Sequence, residues 1–330
     1  MKESRELELK ATITNTFLKT VSAFSNYNTG KIIFGVDDNG KIVGLENIEE
    51  LCLDLENKIN DNISPKPDFR FIKDTKKNII TLIVEEGLNK PYLYKGKAYK
   101  RNDTSTVEVD KVELNRLTLL GLNQYYEELK ARKQDLEFKV LKKELEEKLS
   151  LKDFSKDILK TLNLYDDKNG YNNAAELFAD KNNFAGVDIA KFGKNIDEIL
   201  DRNLFINMSI ISQFQKTLEV FNRYYKYEQI LGSERIEKEL IPEKAFRETI
   251  ANALIHRTWD VNSNIRISMY EDKIEISSPG GLPSGISEKE YLNGQISQLR
   301  NPILANIFFR LKYVEMFGTG SIERIYAMRK

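Results

Sequence analysis

The sequence of 330 residues is poor in several features that would fix its role at once. It has one cysteine, Cys52, which excludes a disulfide framework and a cysteine-rich zinc site. It has no net charge: 51 Lys and Arg balance 51 Asp and Glu, and the pI is about 6.7. A protein that coats nucleic acid through bulk positive charge is thereby excluded, so any such binding must use a local patch. No apolar run reaches the roughly 18–20 residues needed to cross a bilayer. The opening MKESRELELK is charged from its second residue and lacks the apolar centre of a secretion signal. Internal repeats and low-complexity linkers are missing too. What remains is a chain with 41% hydrophobic and 10% aromatic residues, enough to build real cores. Its length predicts two or three domains, and the reading is a soluble, cytoplasmic protein without a membrane segment.

The first 118 residues read as an α/β unit. Ile13, Phe17, Val21 and Phe24 recur at helical spacing. KIIFGVDDNGKIVGL places two β-rich runs around Asn39-Gly40, a strong hairpin signal because both residues tolerate positive φ. IEELCLDLENKIND predicts a second helix, and strands are expected at 78–86 and from Tyr92 to Tyr99. Asp110 offers a helix cap. Residues 119–235 read as a mainly helical connecting region. Its first part, NQYYEELKARKQDLEFKVLKKELEEKLSL, predicts one long solvated helix because it is rich in Lys and Glu and free of Gly and Pro. Short helices follow at LKDFSKDILKTLNLY and YNNAAELFAD, then a strand at FAGVDIAKFG and an amphipathic helix carrying Phe214, Leu218, Phe221 and Tyr225.

The last unit, 236–330, holds the most informative segment, IPEKAFRETIANALIHRTWD. On a helix, Phe246, Ile250, Ala253 and Leu254 share one face, while Glu248, Asn252 and His256 line another. A carboxylate, a carboxamide and an imidazole in one row can activate water, ligate magnesium and contact phosphate, although an exposed polar face has the same pattern. A hairpin follows: Ile265, Ile267 and Met269, a turn at Glu271-Asp272, then Ile274 and Ile276. It runs into Ser278-Pro279-Gly280-Gly281, where glycines let a ligand approach the backbone. Gly318-Thr319-Gly320 stands before a last helical run and could offer free N–H groups to phosphate.

These motifs, together with Arg247-Glu248, His256-Arg257 and Arg300-Asn301-Pro302, resemble the C-terminal ATPase-like domain of bacterial proteins called RecG-like helicases or transcriptional regulators. That domain is similar to the Bergerat-fold ATPases. The resemblance implies ATP and Mg2+ as cofactors, with Glu248 as the water-activating carboxylate and Asn252 as the magnesium ligand. It places His256, Arg257, Ser278, Gly280, Gly281, Arg300, Asn301, Gly318, Thr319 and Gly320 around the nucleotide. Where Bergerat proteins usually carry an adenine-binding Asp, this sequence has Ser278, which supplies no charge. Slow hydrolysis is the corresponding expectation. Relatives of this architecture often continue into a winged helix, which a chain stopping at Lys330 lacks, so the expectation includes a shortened ATP-binding domain.

Residues 3–110 resemble the Alba-like domain shared with the Schlafen family. The resemblance rests on Glu3, Glu8 to Lys10, Lys19 to Phe24, Gly30 to Asp38, Lys90-Pro91-Tyr92 and Tyr99-Lys100-Arg101. It implies binding of RNA or DNA, and between residues 66 and 101 basic residues outnumber acidic ones with tyrosines interleaved. Lysines and arginines suit phosphate and tyrosines suit stacking, which nominates Lys90, Tyr92, Lys100 and Arg101. An ordinary solvated β-edge has the same composition. In Schlafen nucleases two glutamates and an aspartate hold a divalent metal, which nominates Glu3, Glu8 and Asp37 as an alternative site.

The combined expectation is an α+β protein: an Alba/Schlafen-like domain, a helical middle and a Bergerat-like α/β sandwich. Its function is a bacterial regulator or defence-type protein in which ATP adjusts nucleic-acid binding, acting as a homo-oligomer. A metal-dependent RNase and a nucleotide-sensing module without nucleic acid are the alternatives.

Overall fold

Alternating apolar residues in Gly30–Phe34 (β2) and Ile79–Val84 (β4) place Ile32, Phe34, Ile80, Leu82 and Val84 on one buried layer. In this computed structural model, which describes residues 2–151, 153–231, 234–281 and 299–314, the chain divides into two units, Met1–Gln124 and Tyr125–Lys330. The first unit's sheet has the order β1-β2-β4-β3, where β1 is Leu7–Lys10 and β3 is Phe69–Asp74. β1 runs parallel to β2 and the other pairs are antiparallel. Helices α1 (Phe17–Tyr27) and α2 (Ile48–Asn62) cover the layer with Phe17, Val21, Phe24, Leu55 and Ile59. Gly30 is required here, since a Cβ would stand 2.4 Å from the Phe24 ring. A hairpin of β5 (Tyr99–Asn102) and β6 (Ser105–Glu108) packs on α1. The Asp110 carboxylate caps α3 (Lys111–Gly121) by accepting from Glu113 N at 2.8 Å, as its position predicted.

The expected Asn-Gly hairpin forms its turn but not its ladder. Gly40 takes φ +80° and Asp37 N donates to Lys41 O, yet pairing outside the turn is the single bridge between Val36 and Ile42. Gly35, at φ +90°, turns the chain there and accepts from Val43 and Gly44 instead.

In the second unit the long charged helix is broken. Tyr126–Glu128 forms one 3-10 turn, and only Lys139–Leu149 is α-helix (α4). Two long-range effects override local propensity. The Asp180 carboxylate accepts from Lys139 N and Val140 N, which starts the helix there. The segment before it is held extended, with Ala131 N donating to Tyr171 O and Asn173 N to Leu129 O. Short helices α5 (Lys156–Thr161) and α6 (Asn173–Phe178) follow where expected.

The main sheet of this unit has the order β8-β7-β11-β12: β7 is Val187–Phe192, β8 Ile199–Phe205, β11 Ile265–Met269 and β12 Ile274–Ser277. β7 lies parallel to β11, so the sheet runs across the expected boundary at 235/236 and draws two strands from the connecting region. Val187, Ile189, Ile265, Ile267 and Met269 pack on residues of α7 (Ile210–Tyr225), α8 (Glu243–Ile255) and α9 (Pro302–Arg310). Between α7 and α8 stands a two-stranded hairpin, β9 (Lys226–Leu231) and β10 (Glu234–Glu239), which periodicity did not announce. The whole is an α+β protein.

Candidate functional site

Helix α8 divides as its spacing predicts. Phe246, Ile250, Ala251, Leu254 and Ile255 are buried, Glu248 and His256 are half-buried, and Asn252 is exposed. The four-residue interval puts Glu248, Asn252 and His256 along one side.

The end of this helix is heavily bonded. A helix C-terminus leaves carbonyls without intrahelical donors, and cations or amide donors satisfy them. The Ser278 hydroxyl donates to Ala253 O at 2.9 Å. The Asn301 amide donates to Ile255 O at 2.6 Å and Arg257 O at 2.8 Å. One Arg300 nitrogen donates to His256 O at 3.0 Å and Thr258 Oγ1 at 2.7 Å, and the other to Gly281 O at 2.7 Å. Gly280 sits at φ +127°, and a Cβ there would stand 2.1 Å from Thr258 Oγ1. Gly281, by contrast, has no described residue within 4 Å of where a Cβ would point. Burial and the neighbouring Arg300 charge hold the His256 imidazole below its ordinary pKa.

Several residues nominated by resemblance therefore serve the fold. Arg257 is 1% exposed and donates to the carbonyls of Ala185, Gly186, Val261 and Ser263, tying β7 to the loop before β11. Its guanidinium lies 4.4 Å from the Trp259 ring centre, and burial lowers its pKa to about 10. Asn301 is 2% exposed, with its amide nitrogen committed to the two carbonyls. Gly318, Thr319 and Gly320 lie outside the described residues. Asn252 presents an exposed carboxamide, with the half-buried Glu248 carboxylate one turn before it on the same helix. A cleft of about 490 Å³ lies elsewhere in this unit, lined in part by Lys130, Lys160, Tyr165 and Tyr171.

In the first unit the nominated residues turn inward or pair. Arg101 is buried and donates to Glu8 Oε2 at 2.8 Å, to Thr106 Oγ1 and to Ser4 O. Glu8 also accepts from Thr20 and pairs with Lys10 at 2.8 Å. Tyr92 is buried, Lys90 pairs with Glu86, and Lys100 pairs with Glu113 at 2.6 Å. Glu3 accepts from Leu9 N, and Asp37 from Asn39 N and Lys41 N. Each carboxylate of the nominated metal site is thus already engaged, and no cluster of three acidic, His or Cys ligands occurs among the described residues. Among the exposed cations beside the nominated ones are Lys95, over the Tyr94 ring, and Lys97, paired with Glu108 at 2.7 Å.

Two buried glutamates escaped the sequence reading. The Glu127 oxygens accept from Ile303 N at 2.6 Å and Leu304 N at 3.0 Å, at the start of α9. Pro302 occupies the first helical position and has no N–H, so Glu127 satisfies the next two donors. Glu144 accepts from Tyr313 Oη at 2.6 Å and from Gln215, and pairs with Lys148 at 3.2 Å. Both sit in charge-rich runs, where nothing local separates them from surface glutamates.

Comparison with known proteins places both ends of the chain. Residues 3–110 match the family model "Schlafen, AlbA_2", and residues 262–330 match "Putative ATP-dependent DNA helicase recG C-terminal". The crystal structure of the DIP2311 protein from Corynebacterium diphtheriae is similar in fold, with a TM-score of 0.53 at 20% identity over 98% of this chain and 70% of that one. The N-terminal domain of a RecG-related protein from Nitrosomonas europaea matches 32% of this chain and 83% of its own at 25% identity, with a TM-score of 0.25. No curated protein matches. Among the described residues, no helix is long and apolar enough to cross a membrane. The chain thus carries a Schlafen/AlbA_2 domain at one end and a RecG-type C-terminal domain of the HATPase class at the other.

Proposed function

We propose that this protein is a cytoplasmic bacterial regulator that binds ATP with magnesium along α8 and binds RNA or DNA through its first unit, with nucleotide adjusting that binding. The two domain types point to an ATP-binding, nucleic-acid-related protein. The observation that carries the nucleotide reading is Asn252, exposed on α8 and one turn from Glu248, in a unit where no described residue crowds Gly281. The Asn252 amide oxygen would hold magnesium, and Glu248 would orient water. When bound, the nucleotide would supply a phosphoanhydride and the metal its charge.

For nucleic acid, Lys95, Lys97 and Lys100 replace the buried Arg101 as the expected phosphate contacts. The ion pairs of Lys97 with Glu108 and of Lys100 with Glu113 are partly exposed and therefore weak, so phosphate can compete for these two lysines. Calorimetric titration with MgATP tests the first half. Asn252→Ala is expected to weaken binding about tenfold or more while melting without ligand stays unchanged. Equal affinity in variant and parent would refute the site. For the second half, replacing all three lysines with Ala should reduce the slope of log affinity against log salt by about 2–3. An unchanged slope would remove those lysines from the interface.

A further inference from the structure

The hairpin of β9 and β10 forms a two-stranded sheet of its own, joined among the described residues by no ladder to the main sheet of its unit. β10 pairs with β9 along one edge, and its other edge has no strand partner among the described residues. All six residues of β10 are exposed. A two-stranded hairpin with so little cover is marginal by itself, and a bare edge offers N–H and C=O groups to another strand.

The charges on this edge favour one partner. A two-fold axis that pairs a strand with its own copy in antiparallel fashion must pass through a single residue, which then faces itself. With Ile236 on the axis, Glu234 faces Lys238 of the second copy, Arg235 faces Glu237, and Ile236 faces Ile236. Every charged pair in this register is of opposite sign. Moving the axis one residue either way sets Glu237 against Glu237 or Arg235 against Arg235, so the register is specified as well as permitted. The β8 edge of the main sheet lacks this property in its central register, where Arg202 would face itself.

Packing agrees with the charge pattern. Within the hairpin Ile236 lies opposite Gln229, and Tyr227 opposite Lys238, so one face carries Ile236 and Tyr227. They are 39% and 44% exposed, and pairing across the axis brings the two copies of Ile236 together while Tyr227 stays on the outer strand. Arg235 and Glu237 are themselves largely exposed in their internal ion pairs, with Glu228 at 3.2 Å and with Lys226 at 3.5 Å, so these pairs do not lock them away from a partner. Alternating sign also makes the edge a poor surface for a polyanion.

We propose that the β10 edge is a two-fold interface, and that its occupant is β10 of a second copy of this chain, giving a four-stranded sheet centred on Ile236. Sedimentation equilibrium of the full chain tests this. The expected result is a monomer–dimer equilibrium that Lys238→Glu weakens about tenfold or more, because two symmetry-related pairs become like-charged. The double variant Glu234→Lys/Lys238→Glu restores opposite signs and should return the dissociation constant to near its original value. Melting curves of the single variant should match the parent at concentrations where both are monomeric, since both side chains are exposed in the single chain. A chain that stays monomeric at every concentration, a dimer indifferent to Lys238→Glu, or a double variant no better than the single one would overturn the proposal. Strand addition by an unrelated protein would show as the first of these.

Discussion

Glu8 in the first unit and Glu127 in the second are both withdrawn from water, at 4% and 0% exposure, but their partners differ in kind. Glu8 meets two cations, Arg101 and Lys10, together with the Thr20 hydroxyl. Glu127 meets two backbone N–H groups at the positive end of α9, and its nearest charged influence is the like charge of Glu128. Burial pushes the Glu127 carboxyl up to about 8, and the two hydrogen bonds offset that only in part. The difference teaches that oriented dipoles can satisfy a buried carboxyl's geometry without making its charge comfortable.

Three substitutions would break or sharpen this contrast. The largest effect is expected for Arg101→Met, which strands Glu8 beside a half-buried Lys10. A loss of about 3 kcal/mol in denaturant unfolding is expected, against little change for the exposed Lys97→Ala. Similar losses in the two variants would mean that burial of the pair counts for nothing. Glu127→Ala should cost less, about 2 kcal/mol, by leaving the Ile303 and Leu304 N–H groups without an acceptor. A variant as stable as the parent would show that water takes over the cap.

The remaining test is a pH dependence. Because the folded carboxyl of Glu127 titrates near 8 and its ordinary value is 4.5, the folded state holds a proton that the unfolded chain has released. Its contribution is therefore fully present below 4.5, declines as pH rises to 8 and is lost above it. Glu127→Gln cannot titrate, so its stability should fall less steeply across that window. Parallel melting-temperature profiles for parent and variant would contradict the assignment.

What was legible in the sequence was whatever depends on near neighbours. The two faces of α8 follow from four-residue spacing, the β11–β12 hairpin from alternation around Glu271-Asp272, and the α3 cap from Asp110 itself. What stayed hidden depends on partners far along the chain. Arg101 reads as a phosphate-binding cation until Glu8, 93 residues away, is seen to hold it. Glu127 reads as one more charge in a helical run until Ile303, 176 residues away, supplies its donor. The overextended helix has the same origin, since its true start is fixed by Asp180. The strand Phe69–Asp74 was missed for another reason: its alternation of Phe with Arg, Ile and Lys is blunt, and Pro65 and Pro67 precede it.

The parallel pairing of β7 with β11 bears on how this protein can be cut. A fragment trimmed to the recognised segment, 262–330, would keep β11 and β12 but discard α8 and both strands upstream. Ile265, Ile267 and Met269 would lose Ile250, Leu254 and the β7 ladder at a stroke, and the Arg257 anchor with them. The smallest portion worth expressing for ligand studies is accordingly 125–330, so the limits of a sequence signature and of a physical folding unit differ here by more than a hundred residues.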